Sequence, residues 1–154
     1  MSIRPDNFLA LEPLLIARLE ERLDKKIRIL SAADLEQVAS NQQPTPSVAV
    51  LYSGYSLSAN VSAGQRGAMS VHQRWLCVVC ARNVTSLSGA QARFCAGAII
   101  AAVIDALQGW RAGDGFGPMT LGDGANAEFS NGLFYLPLGW TVPIRNYLSC
   151  EEQP

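Results

Sequence analysis

Charge is concentrated at one end of this 154-residue chain, and that concentration limits what the rest of it can fold into. Thirteen of the 25 acidic and basic side chains lie between Arg4 and Glu36, so the 117 residues after position 37 carry only twelve. Both lysines, Lys25 and Lys26, belong to the early segment, and every later cation is an arginine: Arg66, Arg74, Arg82, Arg93, Arg111 or Arg145. A soluble domain usually has about 25% charged residues; here the fraction is 16%. A long stretch that lacks ionised groups has to keep much of itself away from water. Arginine suits such burial, because its flat guanidinium is weakly hydrated and bonds through several donors. Two readings follow. One is a subunit with large surfaces covered by copies of itself or by partners, and the other is a monomer rich in small residues with an uncharged polar exterior.

Length and composition remove several classes. A chain of this size predicts one domain over residues 1–154 with a single core. Twelve cations against thirteen anions give a net charge of −1, which argues against affinity built on neutralising phosphates. Hydrophobic residues make up 49% and no long polar tract appears, so the chain is neither disordered nor collagen-like. The start, Met1-Ser-Ile-Arg-Pro5, leads into a charged amphipathic stretch without a signal-peptide core, and a cytosolic start is expected. The longest apolar run, Phe94 to Ile104, is shorter than the roughly 20 residues that cross a bilayer, so it reads as a buried helix and no membrane contact is expected.

The order of elements predicts an α+β fold: a mainly antiparallel sheet with a long hairpin, backed by two main helices. The first helix starts near Asp6 or at Pro13 and runs to Leu23, with Leu11, Leu15, Leu19 and Leu23 on one face and Arg18, Glu21, Arg22 and Lys25 on the solvated side. Ile27 to Leu30 reads as a short strand. Ser31-Ala-Ala-Asp34 opens a brief helix in capping-box fashion. Val48 to Leu57 and Met69 to Arg82 form the hairpin around the turn Ala63 to Gly67. In its second strand Trp75, Cys77 and Val79 alternate with Leu76, Val78 and Cys80, so both faces are apolar and something must cover each. The second main helix spans about Gly89 to Gln108 and is closed by Gly109. Pro118 to Leu121 is a short strand, and Gly122 to Asn126 a turn region. From Phe134 to Ile144 every even position is apolar, while Pro137 and Pro143 remove donors from one edge, which predicts an edge strand that cannot recruit another.

The sequence offers no catalytic residue, cofactor site or metal site. Cys77 and Cys80 have redox or zinc spacing, but three residues along a strand send the thiols to opposite faces, and no second Cys/His pair exists. His72 is the only histidine, placed at a strand rim beside Arg74, with no nucleophile elbow or zinc helix to serve. Gly113, Gly115 and Gly117 precede Pro118 rather than a helix, so a phosphate cradle is absent. Asp123, Asn126 and Glu128 offer too few carboxylates for calcium.

Seven short stretches carry a family resemblance. Leu14-Leu-Ile-Ala-Arg-Leu19, Ser31-Ala-Ala-Asp-Leu35 and Gln43-Pro-Thr-Pro-Ser-Val-Ala-Val-Leu-Tyr-Ser-Gly-Tyr55 come first. Gln73-Arg-Trp-Leu-Cys-Val-Val79, Ala81-Arg-Asn83, Leu107-Gln-Gly-Trp110 and Gly132-Leu-Phe-Tyr-Leu-Pro-Leu138 follow. In this order they resemble the tail terminator family of long-tailed phages, specifically the group in Mu-like prophages, over most of residues 10–145. The resemblance implies a non-enzymatic virion protein, assembled in the bacterial cytoplasm and placed at the neck end of the tail. Its implied form is a ring, expected to be hexameric, whose partners are copies of itself, the tail tube protein and the head–tail connector. DNA would pass through the lumen without specific binding, and no cofactor is implied. Interface candidates are Gln65 and Arg66 on the long hairpin and Trp110, Arg111 and Phe116 on the loop after the second main helix. The resemblance does not extend to residues 146–154, which are expected to form a flexible tail. Another head–tail joining protein, or a small-ligand domain built on His72 and the glycine loop, are the alternatives.

Overall fold

A six-stranded mixed sheet, antiparallel except at one edge, carries two long helices on one face. The computed structural model describes residues 8–37, 44–57, 71–82, 89–124, 126–130 and 132–144. In chain order these form α1 (Leu11–Arg22), β1 (Arg28–Leu30), α2 (Ala32–Gln37), β2 (Ser47–Leu57), β3 (Val71–Arg82), α3 (Gly89–Leu107), β4 (Thr120–Leu121), β5 (Glu128–Ser130) and β6 (Leu133–Ile144). The sheet order is β1-β2-β3-β6-β4, with β5 also on β6; β1 is parallel to β2 and the other pairs are antiparallel. The α+β class, the long β2–β3 hairpin and the two main helices all stand as expected from the sequence.

Strand alternation builds the core in rows. Val48, Val79 and Leu136 lie side by side, as do Val50, Cys77 and Leu138, and then Tyr52, Trp75 and Trp140. Most of these side chains are buried, and they meet Leu11, Leu15, Leu19 and Leu23 from α1 and Ile99, Val103, Ala106 and Leu107 from α3. A satellite cluster of Ala81, Ala96 and Phe134 continues the same layer. The opposite face carries Ser47, Cys80 and Tyr135, then Ala49, Val78 and Pro137, then Leu51, Leu76 and Gly139. Ser47, Ala49 and Cys80 are buried there, whereas Leu51, Leu76, Val78 and Pro137 are only half-buried. The sequence required cover on both faces; the helices supply it fully on one.

Local chemistry sets the helix ends. Pro13 falls in the first turn of α1, where its missing N–H has no helical partner to lose. The capping box opens α2: the Ser31 N–H donates to Asp34 Oδ2 at 2.9 Å, and the Asp34 N–H donates to Ser31 Oγ at 3.2 Å. Those bonds hold the Asp34 carboxyl below its usual range, the backbone donor being the largest cause. Beyond α3, Gly109 takes φ +78°, the left-handed turn its position predicted.

Two expectations need correction. β6 is not an edge strand: it pairs with β3 from Leu133 to Ile144 and, on its other side, with β4 and β5. The prolines do face away from β3. Gly117 N–H donates to the Pro143 carbonyl at 2.7 Å and Gly122 N–H to the Gly139 carbonyl at 2.9 Å, so odd positions present their polar groups outward. The neighbours there pair in short pieces, at Leu133 to Tyr135 and at Trp140 to Thr141, and so skip Pro137. The second correction concerns Arg18, which does not lie on a solvated face. Its Nε–H donates to the Ala106 carbonyl at 2.9 Å and its guanidinium lies 5.4 Å from the centre of the Trp110 ring, tying α1 to the end of α3.

Candidate interaction surface

Gln73 shows how one flank of the molecule is assembled. It is fully buried in β3, accepts a bond from Trp75 Nε1–H at 3.1 Å, and donates through Nε2 to the Phe8 carbonyl at 2.6 Å. A buried amide satisfied on both sides is worth conserving in any packing, since each orphaned group costs about 1–3 kcal/mol. Here it fixes Phe8, at the approach to α1, over the end of the sheet. Opposite, β2 carries one extra residue between Tyr52, which pairs with Trp75, and Tyr55, which pairs with Gln73. Gly54 in this bulge takes φ +106°. The extra residue shifts the alternation, so Tyr52 and Tyr55 share the core face rather than opposing it. Phe8 packs edge-on against both rings, at 6.3 and 5.7 Å, and Tyr52 against Trp75 at 5.4 Å.

Helix cover thins at this end, and the apolar layer runs out into solvent. Leu9 is 41% exposed, Tyr52 38%, and Tyr55 and Leu57 53% each. Beside them lies a groove of about 320 Å³, walled by Leu9, Glu12, Ser31, Leu51, Tyr52 and Trp75, in which Glu12 is the only charged side chain among the described residues. The sequence reading missed this flank. Its signal was Gly54 between two tyrosines in an otherwise regular strand, a mark of a bulge.

The predicted interface residues are placed as follows. Gln65 and Arg66 lie outside the described residues. Trp110 is half-buried under Arg18, its N–H donating to the Leu107 carbonyl at 3.0 Å and its carbonyl accepting from Met119 N–H at 3.0 Å. Arg111 beside it is exposed. Phe116 turns inward instead: it is 6% exposed, belongs to the core and bridges Ile144. The glycines of this loop serve close packing, since a Cβ on Gly117 would sit 2.9 Å from Pro143 Cγ. The expected tail, residues 146–154, also lies outside the described residues.

The chemistry candidates remain apart. Cys77 lies in the helix-covered core, where burial pushes its thiol up to about 12, while Cys80 is on the opposite face beside Ser47 and Tyr135, also raised by burial. His72 is half-buried on β3 opposite Ser56 and Pro143. Among the described residues, no three His, Cys, Asp or Glu side chains gather as metal ligands, and no helix is long and apolar enough to cross a membrane.

A family model described as phage tail terminator protein matches residues 5–146. The chain belongs to that family. No curated protein matches it significantly. Membership in the tail terminator family makes it a structural component of a phage tail, in a family of structural proteins rather than enzymes. The tail terminator match spans every described element, from Phe8 to Ile144, so the exposed aromatic flank and the Trp110 loop both lie inside it.

Proposed function

We propose that this protein assembles as a ring, hexameric by the family resemblance, on the head-proximal end of the phage tail tube. There it stops tube polymerisation and presents its other surface to the head-side connector, with DNA passing through the lumen. The observation that carries this reading is the tail terminator match over residues 5–146. Two physical features support it. Apolar side chains are exposed at Leu9, before α1, and at Tyr52, Tyr55 and Leu57 on β2, and Phe129 is 53% exposed on β5, at the other side of the sheet. Contiguous exposed apolar surface of this kind marks protein contacts. The net charge of −1 also suits a lumen through which a polyanion must slide, since a strongly cationic wall would hold its phosphates.

Tail tube protein polymerised with and without this chain tests the proposal. Tubes should stop at a defined length and carry a ring at one end when the chain is present, and grow to uncontrolled length without it. Tubes of equal, uncontrolled length in both samples, with bare ends in electron micrographs, overturn it. Binding to purified connector but not to tubes would assign the chain to head–tail joining instead.

A further inference from the structure

We propose that copies of this chain meet flank to flank, the Trp110–Arg111 loop of one docking at the Glu12 groove and the Tyr52/Tyr55 rings of the next. This deepens the ring reading above and rests on it. The two surfaces lie at opposite sides of one sheet. Among the described residues β2 is paired by β1 only from Ser47 to Ala49, so its later half, with the groove and rings, forms one lateral border. On the far side, Met119 leads into β4, the last strand of the order, and Trp110 runs outside it, held by the bonds from Met119 N–H to the Trp110 carbonyl and from Gly109 N–H to the Met119 carbonyl. Different surfaces at opposite borders are what a head-to-tail contact needs, since each copy then offers one and accepts the other.

Charge complementarity supports this pairing. Among the described residues Glu12 is the one charged side chain of the groove, whose other walls are apolar or aromatic apart from Ser31. Arg111 is an exposed cation next to a half-buried tryptophan. A guanidinium is the cation best able to enter such a site: it bonds a carboxylate through a fixed fork and lies flat against aromatic rings. The Tyr52 ring lines the groove, and Phe8 joins it to the exposed Tyr55 ring, so an incoming arginine would meet an aromatic surface.

Charge exchange in the full chain tests the contact. Glu12→Arg and Arg111→Glu are prepared singly and together, with Glu12→Gln beside them because a carboxylate in the first turn of α1 also favours the helix dipole. Sedimentation across concentration, with and without tail tubes, reads assembly, and thermal melting confirms the fold. Each single variant should raise the concentration for half-assembly by about tenfold or more, and the double exchange should return it to within about threefold of wild type. A double variant no better than the singles, or singles that assemble normally while wild-type rings form, overturns this contact and leaves the ring reading standing. A wild-type chain that stays monomeric even on tubes overturns both.

Discussion

Cys77 and Cys80 stand three residues apart on one strand and meet different surroundings, and the difference is measurable. Alternation puts Cys77 among Val50, Leu138 and the helices, with no exposed surface and nothing to stabilise a thiolate, so burial raises it from 9.0 to about 12. In the unfolded chain the thiol ionises near its ordinary value, while the folded chain keeps the proton. Between those two values the unfolded state binds fewer protons, so this contribution to stability is whole below pH 9 and is lost as pH rises towards 12. Urea unfolding at pH 8 and pH 10.5 should therefore show a steeper loss for wild type than for Cys77→Val, by up to about 1.4 kcal/mol per pH unit. Equal losses would place the thiol in contact with water. The separation of the two thiols was legible from their spacing alone. The inward turn of Phe116 and the docking of Arg18 on Trp110 were not, because each depends on a contact more than 25 residues away in sequence, which periodicity does not encode.

At the level of elements, hydrophobic period located α1, β2, β3, α3 and β6 within a few residues, and the capping box located α2. The neighbours of β6 escaped for a physical reason. Two prolines without donors read as a free border, yet short strands can pair on either side of Pro137 and leave it unbridged, which is how β5 and β4 attach. β5 had a signal of its own: two residues, Asn131 and Gly132, separate Ser130 from its partner Leu133, and Gly132 takes φ +77°. Beside the Phe116 bridge to Ile144, the loop after α3 meets β6 where Gly117 packs against the Pro143 ring, with its N–H bonded to the Pro143 carbonyl. Gly117→Ala would place a methyl 2.9 to 3.2 Å from three ring carbons and should destabilise the fold by about 1–3 kcal/mol. Pro143→Ala removes the ring that is struck. The double variant should therefore lose less than the sum of the singles in chemical denaturation; strict additivity would mean the methyl is accommodated elsewhere.

For the whole molecule, the charge deficit posed a choice between a monomer with an uncharged exterior and a subunit with covered surfaces. The structure contains a continuous apolar layer that begins under α1 and α3 and emerges at Tyr55 and Leu57, more than half exposed. Sequence could locate the deficit but not this exit, because the bulge at Gly54 decides which face the tyrosines take. If the layer ends there to serve assembly, its two parts respond differently to polar substitution. Leu15, fully buried in α1, should cost about 2–5 kcal/mol of folding stability as Leu15→Ala. Tyr55→Ser with Leu57→Ser should change folding stability by about 1 kcal/mol or less, since exposed side chains give up little on replacement, yet should abolish self-association and tube capping. Urea unfolding and sedimentation of the same preparations separate the two effects. A double serine variant that assembles as wild type would show that the emerging layer is merely tolerated by water, and the deficit would then belong to a monomer with an uncharged exterior.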